Sequence, residues 1–265
     1  MSDLAAARAA LRQRLGKGAR HDDPAAPARE LDWVRRGTAY FARKLNELPD
    51  AALALPALPA GLSRRHVIAG ISHEARALAR LAEWARTGQD VAKEDPFAAI
   101  APAVELAVTL PAEALRHLFR HSEVHLNVEW RDLTARAWDA PVRLPGGRVV
   151  TARAMASRRA RSIWLAAVDL DNGGTFADLP PDLIDALLAD PAGAGGHPRP
   201  VLSPDDRPAG LHPDPAAGGA ATVSGSAADL ARWITGRGIR GLAFDGAPAF
   251  QPPLRQFFND LEHQG

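Results

Sequence analysis

The sequence contains no cysteine, which excludes disulfide bonds, thiolate metal sites and a cysteine nucleophile. It also has no excess of charge of either sign, because 32 lysine and arginine residues face 31 aspartate and glutamate residues. A net charge of +1 does not predict the broad basic surface that binds nucleic acid or an anionic membrane, so neither is expected as a partner. No run reaches about 18 apolar residues. Residues 1–15 alternate Ala and Leu with Arg around Asp3, unlike a signal peptide, so we expect a cytoplasmic protein.

What the chain does have is length and apolar content. Its 265 residues are 46% hydrophobic, enough for one large domain or two small ones with a buried core. Arginine far outnumbers lysine, which indicates the coding bias of a GC-rich bacterial genome rather than selection for arginine chemistry. We therefore base functional inferences only on arginines that occur at a position within a recognisable motif. Glycine and proline crowd into residues 189–220, which divide the chain.

Apolar residues recur at helical spacing in four long segments, residues 28–48, 64–87, 111–137 and 153–168. Ser63 is a plausible N-cap of the second segment, and residues 142–151 are typical of a β-hairpin. Four amphipathic helices with one long connection predict a four-helix bundle over residues 28–189. Residues 3–15 predict a short separate helix, so residues 1–27 are interpreted as a helical appendage and linker.

The remainder of the chain predicts a different kind of structure. After a short helix at 180–189, strand-like runs surround a helix at 226–236, and their positions are 199–202, 220–224 and 240–244. We interpret residues 190–265 as a small α/β domain. The predicted fold class is therefore α+β, with an N-terminal helical bundle followed by a small α/β C-terminal domain.

Three segments resemble a known family, and they occur in that family's order. They read RRHVIAGISHEARALARLAEWARTG at 64–88, RARSIWLAAVDLDNGGTFADLP at 159–180 and GSAADLARWITGRG at 225–238. The chain resembles the mycothiol-dependent maleylpyruvate isomerases, part of the DinB-like bundle superfamily. That resemblance implies a bundle zinc ion held by a histidine of the second helix and a Glu and His four residues apart on the fourth. It also implies a small thiol cofactor, whose thiolate adds to the double bond of maleylpyruvate and allows it to rotate.

The positions that match those zinc ligands carry other residues here. They are Gly70 on the second helix and Ser162 and Ala166 on the fourth. Glycine and alanine have no side-chain donor and a serine hydroxyl is a poor zinc ligand, so zinc is not expected. We predict instead that these three residues, with Trp164, line a substrate pocket that is wider and less polar.

Other residues could replace the lost chemistry. His66, His73 and Glu74 lie near the face of Gly70, and they could form a replacement metal site or, for His73 and Glu74, a metal-free acid and base. His66 could equally cap its helix, and Glu74 could be a partly solvated side chain. Arg237 matches a family arginine that the resemblance implies binds the anionic substrate or thiol cofactor, but it could instead join the two domains.

His117, His121 and His125 have the most metal-like spacing in the chain, at i, i+4 and i+8. They lie off the apolar stripe of their helix, which favours a solvated surface over a surface or intersubunit metal site.

Three functions remain open. The first is a metal-independent enzyme, an isomerase or thiol-conjugate enzyme, acting on a small anionic organic substrate in the interdomain cleft. The second is a catalytically silent ligand-binding protein. The third is a true thiol-dependent maleylpyruvate isomerase with an unconventional metal site. The sequence leaves the choice between monomer and homodimer open.

Overall fold

The structure, a computed structural model, describes residues 22–88, 95–189, 200–208 and 222–245. The α-helices, numbered α1 to α8 within these ranges, are Ala28–Asn46, Arg64–Thr87, Ile100–Ala107, Ala112–Arg131, Ala135–Trp138, Ala154–Asp169, Pro181–Ala189 and Ala227–Ile234. The strands β1 to β5 are Pro141–Arg143, Val149–Thr151, Val201–Pro204, Thr222–Gly225 and Ala243–Asp245. The predicted α+β class is confirmed. The helix expected at residues 3–15 lies outside the described residues.

The four long helices close into a ring in the order α1, α6, α2, α4. α1 and α4 are antiparallel neighbours, since the Phe41 and Phe119 rings lie 4.8 Å apart while Thr38, nearer the start of α1, reaches Glu123, further along α4. α2 and α6 are also antiparallel, because Arg64 at the start of α2 donates from Nε to the Leu170 carbonyl just beyond α6 (2.6 Å). The interior of the ring therefore receives side chains from all four helices.

The close approach of α1 to α6 depends on a glycine. A Cβ on Gly37 would lie 2.6 Å from Ile163 Cγ2 and 2.8 Å from Trp164 Nε1, well inside van der Waals contact. Trp164 Nε1 donates to the carbonyl of Trp33 (2.9 Å), so the indole satisfies a buried polar group while it fills the interface.

One expected helix is broken in the structure. The segment predicted as a single helix over residues 111–137 is two helices, α4 and α5, separated by residues 132–134. The side-chain oxygen of Thr134 accepts from the Ala137 backbone N–H (3.3 Å), so it caps a new helix rather than continuing the old one. α3 was not among the predicted helices, and it packs on α2.

The predicted hairpin is confirmed as β1 and β2, an antiparallel pair. Toward the C-terminus, β3 pairs in parallel with β4, and β4 pairs antiparallel with β5. α8 packs on this sheet and on α7, which follows the bundle. The domain boundaries placed after residues 27 and 189 stay predictions. Among the described residues, no helix is long and apolar enough to cross a membrane.

Candidate functional site

The candidate site lies inside the bundle, between α2 and α6. The hydroxyl of Ser162 on α6 donates to Glu74 Oε1 on α2 (2.8 Å). Gly70 is one helical turn before Glu74, and Ala166 is one turn after Ser162. Because the two helices are antiparallel, Gly70 and Ala166 lie at the adjacent level, facing each other. Gly70, Ser162 and Ala166 are all buried.

This group of residues does not fit a zinc ion. Gly70 and Ala166 have no donor atom, and the one hydroxyl, on Ser162, is already committed to Glu74. Across the part of the chain that the structure describes, no group of three or more His, Cys, Asp or Glu residues could hold a metal ion. That the three positions correspond to the zinc ligands of the resembled family stays a prediction.

Glu74 is the centre of a buried ionic network rather than the partly solvated side chain considered from the sequence. It is only 2% exposed. Its Oε2 accepts from Arg159 Nη1 (2.9 Å), and its Oε1 accepts from Ser162 and lies 3.1 Å from Arg158 Nε. Burial of a carboxylate is tolerated here because each oxygen faces a donor.

Arg159 extends this network to the remaining helices. Its Nη1 also donates to the Ile71 carbonyl (2.8 Å), and its Nη2 pairs with Glu123 on α4. Thr38 on α1 donates to the other oxygen of Glu123 (3.2 Å). Burial raises the pKa of the Glu123 carboxyl, and the positive charge of Arg159 offsets this only in part. One polar chain thus joins all four helices of the ring.

The network limits what Glu74 can do chemically. A general base needs a free lone pair within reach of a substrate proton. Both oxygens of Glu74 face cationic or hydroxyl donors and the residue is only 2% exposed, so a substrate proton could reach it only if the packing around it opened. The role of Glu74 as a catalytic residue stays a prediction, and the contacts favour a structural role.

His73, the other acid/base candidate, is in a different situation. It is only partly buried, yet its Nε2 is enclosed, and no residue in the described ranges hydrogen-bonds to it. Burial, and to a lesser extent the positive charge of Arg76, lowers the pKa of the His73 imidazole. A lowered pKa favours the neutral ring near pH 7, in which one of the two nitrogens is a hydrogen-bond acceptor.

His66 does not join this group. Its Nδ1 accepts from the backbone N–H of Ser63 (3.1 Å) and lies 2.8 Å from the Ser63 hydroxyl. This is a reciprocal cap at the start of α2, as the capping alternative predicted.

Arg237 is buried against the bundle. Its Nε and Nη2 donate to the two oxygens of Asp169 at 3.1 and 2.7 Å, and Nη1 donates to the Thr235 carbonyl (2.5 Å). Both charged side chains are at most 3% exposed. The guanidinium fork that could clamp a substrate carboxylate already holds a carboxylate of α6. These contacts favour the alternative in which Arg237 joins the C-terminal part of the chain to the bundle.

Trp164, expected in the pocket wall, packs between helices. It is 3% exposed, and its ring lies 5.1 Å from that of Tyr40 on α1. The three histidines of α4 are exposed, as the position off the apolar stripe predicted; they are His117, His121 and His125.

Besides Arg158, the sequence reasoning missed three members of the buried network. Arg159 and Glu123 were not among the candidate site residues, because nothing in the sequence pairs two charged residues that lie on different helices. A signal of their burial was present, since Glu123 lies one turn after the core residue Phe119 and Arg159 lies one turn before Ser162 and Ile163. The third, Thr38, lies one residue after Gly37 on the face of α1 that enters the bundle.

A helical bundle that carries a small C-terminal sheet defines the class of this protein, and comparisons with known proteins identify the family. The family model described as the mycothiol maleylpyruvate isomerase N-terminal domain matches residues 34–171. Solved structures of the mycothiol-dependent maleylpyruvate isomerase and of a histidine-to-alanine variant are each 30% identical, with TM-scores of 0.76. Each match covers 85% of this chain and 95% of that one. No curated protein sequence matches significantly. The chain belongs to the mycothiol maleylpyruvate isomerase family.

Proposed function

We propose that this chain is a metal-independent member of its family that binds a small anionic organic molecule or thiol in the cleft between the bundle and the C-terminal part. Binding without turnover is better supported than catalysis. The observation that carries this preference is the closed set of contacts around Glu74, whose oxygens face Arg159, Arg158 and Ser162. A residue so engaged, and only 2% exposed, stabilises the bundle and is not accessible to a substrate proton.

Metal independence follows from the donor chemistry. A catalytic zinc ion needs about three nitrogen, sulfur or carboxylate ligands on a rigid frame. The positions matched to such ligands are Gly70, Ser162 and Ala166. Of these side chains only that of Ser162 has a polar atom, and its hydroxyl donates to Glu74.

The ligand class comes from the relatives. The solved proteins are named as mycothiol-dependent and as acting on maleylpyruvate, an anionic ketoacid. By this likeness we expect the ligand here to be a small carboxylate or a thiol such as mycothiol. Arg237 contributes to the cleft by holding its two sides together through Asp169, rather than by gripping the ligand itself.

A second candidate function is metal-free catalysis, and His73 is the observation that favours it. Its enclosed Nε2 has no partner among the described residues, and its lowered pKa favours the neutral ring near pH 7, the state in which an imidazole accepts a proton. In this alternative His73 is the general acid and base for isomerisation or thiol conjugation.

Binding and turnover measured on the same preparation separate these functions. We expect mycothiol or maleylpyruvate to raise the melting temperature of the wild-type chain, with no isomer formed and less than stoichiometric zinc in the purified protein. Turnover that survives a chelator and disappears in His73→Gln would establish the second candidate instead. Turnover that depends on stoichiometric bound zinc would overturn metal independence.

A matched variant tests the donor argument directly. Gly70→His, Ser162→Glu and Ala166→His together restore an imidazole, a carboxylate and a second imidazole at the facing positions. We expect this triple variant to bind about one more zinc ion per chain than the wild type, which has no zinc ligands at these positions. If wild type and variant take up equal zinc, either the wild-type site already has ligands or the three positions do not face one another.

A further inference from the structure

The exposed face of α4 carries a ladder of three imidazoles. The ring centroids of His117 and His121 are 6.0 Å apart, with an interplanar angle of 26°. Those of His121 and His125 are 6.5 Å apart, at 46°. All three side chains are exposed, on the side of α4 away from its buried residues Leu115, Phe119, Ser122, Leu126 and Trp130.

Helix geometry makes each neighbouring pair a potential chelate. Residues four apart on an α-helix point the same way, so two imidazoles can bind one ion from the same side. A metal about 2.0–2.1 Å from each nitrogen needs the rings slightly closer than they stand. Exposed histidines can make this adjustment by turning about their side-chain bonds, because no neighbouring core residue fixes them.

We propose that the neighbouring pairs of this ladder, His117 with His121 and His121 with His125, are two-imidazole surface sites for a divalent late transition-metal ion. Two imidazoles bind the ion at a time and water completes its coordination, because the span of eight residues is too long for one ion to bind all three. His121 belongs to both pairs and is the essential ligand. Nitrogen ligands select Cu²⁺ most strongly, then Ni²⁺ and Zn²⁺.

The surroundings of the ladder add one further group. Glu129 Oε1 lies 3.7 Å from His125 Nε2, and its other oxygen faces Arg86 (3.4 Å). A carboxylate near a ligating imidazole orients the ring and increases its basicity. The pair formed by His121 and His125 is therefore expected to bind more tightly than the pair formed by His117 and His121.

This site is independent of the proposed function, since it lies on the outer face of α4 and shares no residue with the interior network. Titration calorimetry of the full chain with Cu²⁺, Ni²⁺ and Zn²⁺ in a non-coordinating buffer tests it. We expect saturable binding by the wild type, weakened at least about tenfold in His121→Ala, the scale of losing a group on which a metal site depends. His117→Ala is expected to retain most of the affinity.

A control variant keeps the number of histidines and removes only the spacing. His121→Ala combined with Asn127→His leaves three histidines on α4 with no two of them four residues apart. We expect it to bind as weakly as His121→Ala, while paramagnetic Ni²⁺ broadens the imidazole NMR signals of His121 and His125 in the wild type. Equal affinity of the wild type and this control, or no saturable binding by the wild type, would overturn the proposal.

Discussion

Replacing Arg159 by methionine is the sharpest test of the buried network. The side chain keeps much of its length and loses its charge. In this variant Glu74 keeps its contacts with Arg158 and Ser162. Of the contacts described above, Glu123 keeps only the hydrogen bond from the Thr38 hydroxyl. Removing one partner of a buried ion pair typically costs about 3–5 kcal/mol because the other charge stays buried without compensation. At about 2–4 °C per kcal/mol, the expected fall in Tm is about 6–20 °C.

Urea unfolding followed by tryptophan fluorescence measures this loss as a shift in midpoint at constant slope. The double variant Arg159→Met with Glu123→Gln removes one of the two buried carboxylate charges that Arg159 compensates, so we expect it to regain part of the lost stability. That recovery separates uncompensated charge from a simple packing defect. If Arg159→Met unfolds within about 1 kcal/mol of the wild type, the network is not a stabilising element and our reading of Glu74 as structural fails.

Three further predictions concern single groups. His73→Gln removes an imidazole whose pKa is lowered in the folded state, so below about pH 6.5 the unfolded wild type binds that proton more readily than the folded wild type does. The wild type should therefore lose stability relative to this variant as the pH falls. Urea midpoints of the two proteins that stay parallel between about pH 5.5 and 7.5 would contradict this. Tyr40 is the one tyrosine of the chain, and burial together with Asp178 raises its pKa to about 12. Ultraviolet titration should therefore show a midpoint near 12 that falls in Asp178→Asn, whereas a midpoint near 10 in the folded protein would refute the assignment. Gly37→Ala should lower the free energy of unfolding by about 1–3 kcal/mol, because its Cβ would lie 2.6 Å from a side-chain methyl group of α6. The exposed control Arg36→Ala should stay within about 0.5 kcal/mol of the wild type in the same thermal unfolding assay. A Gly37→Ala variant more stable than the wild type would show that α1 and α6 have room to move apart.

The helices were predictable because their signal is local. The apolar stripe of α1 and the cap at Ser63 each lie within a few residues of sequence, and both are present in the structure. The break between α4 and α5 was missed for a related reason. The apolar pattern continues through residues 132–134, and only the hydrogen bond from Ala137 to Thr134 decides that the first helix ends there.

The candidate site divides in the same way. Motif positions were enough to single out Gly70, Ser162 and Ala166, because whether a side chain can ligate a metal depends on the residue type alone. The partners of Glu74 and Arg237 could not be found from motif positions or residue type. Glu74 meets Arg159 across 85 residues of sequence, and Arg237 meets Asp169 across 68. No local pattern records which charges become neighbours at such separations.

The sequence by itself therefore determined most of the helical segments, through short-range spacing, and the lack of a good zinc ligand at Gly70, Ser162 and Ala166, through residue type. The family followed from the resemblance of three segments. Only the tertiary structure decided that the remaining charged candidates are paired inside the protein. Burial makes an unpaired charge so costly that the fold must bring opposite charges together, and which ones meet depends on how the helices are arranged around the ring.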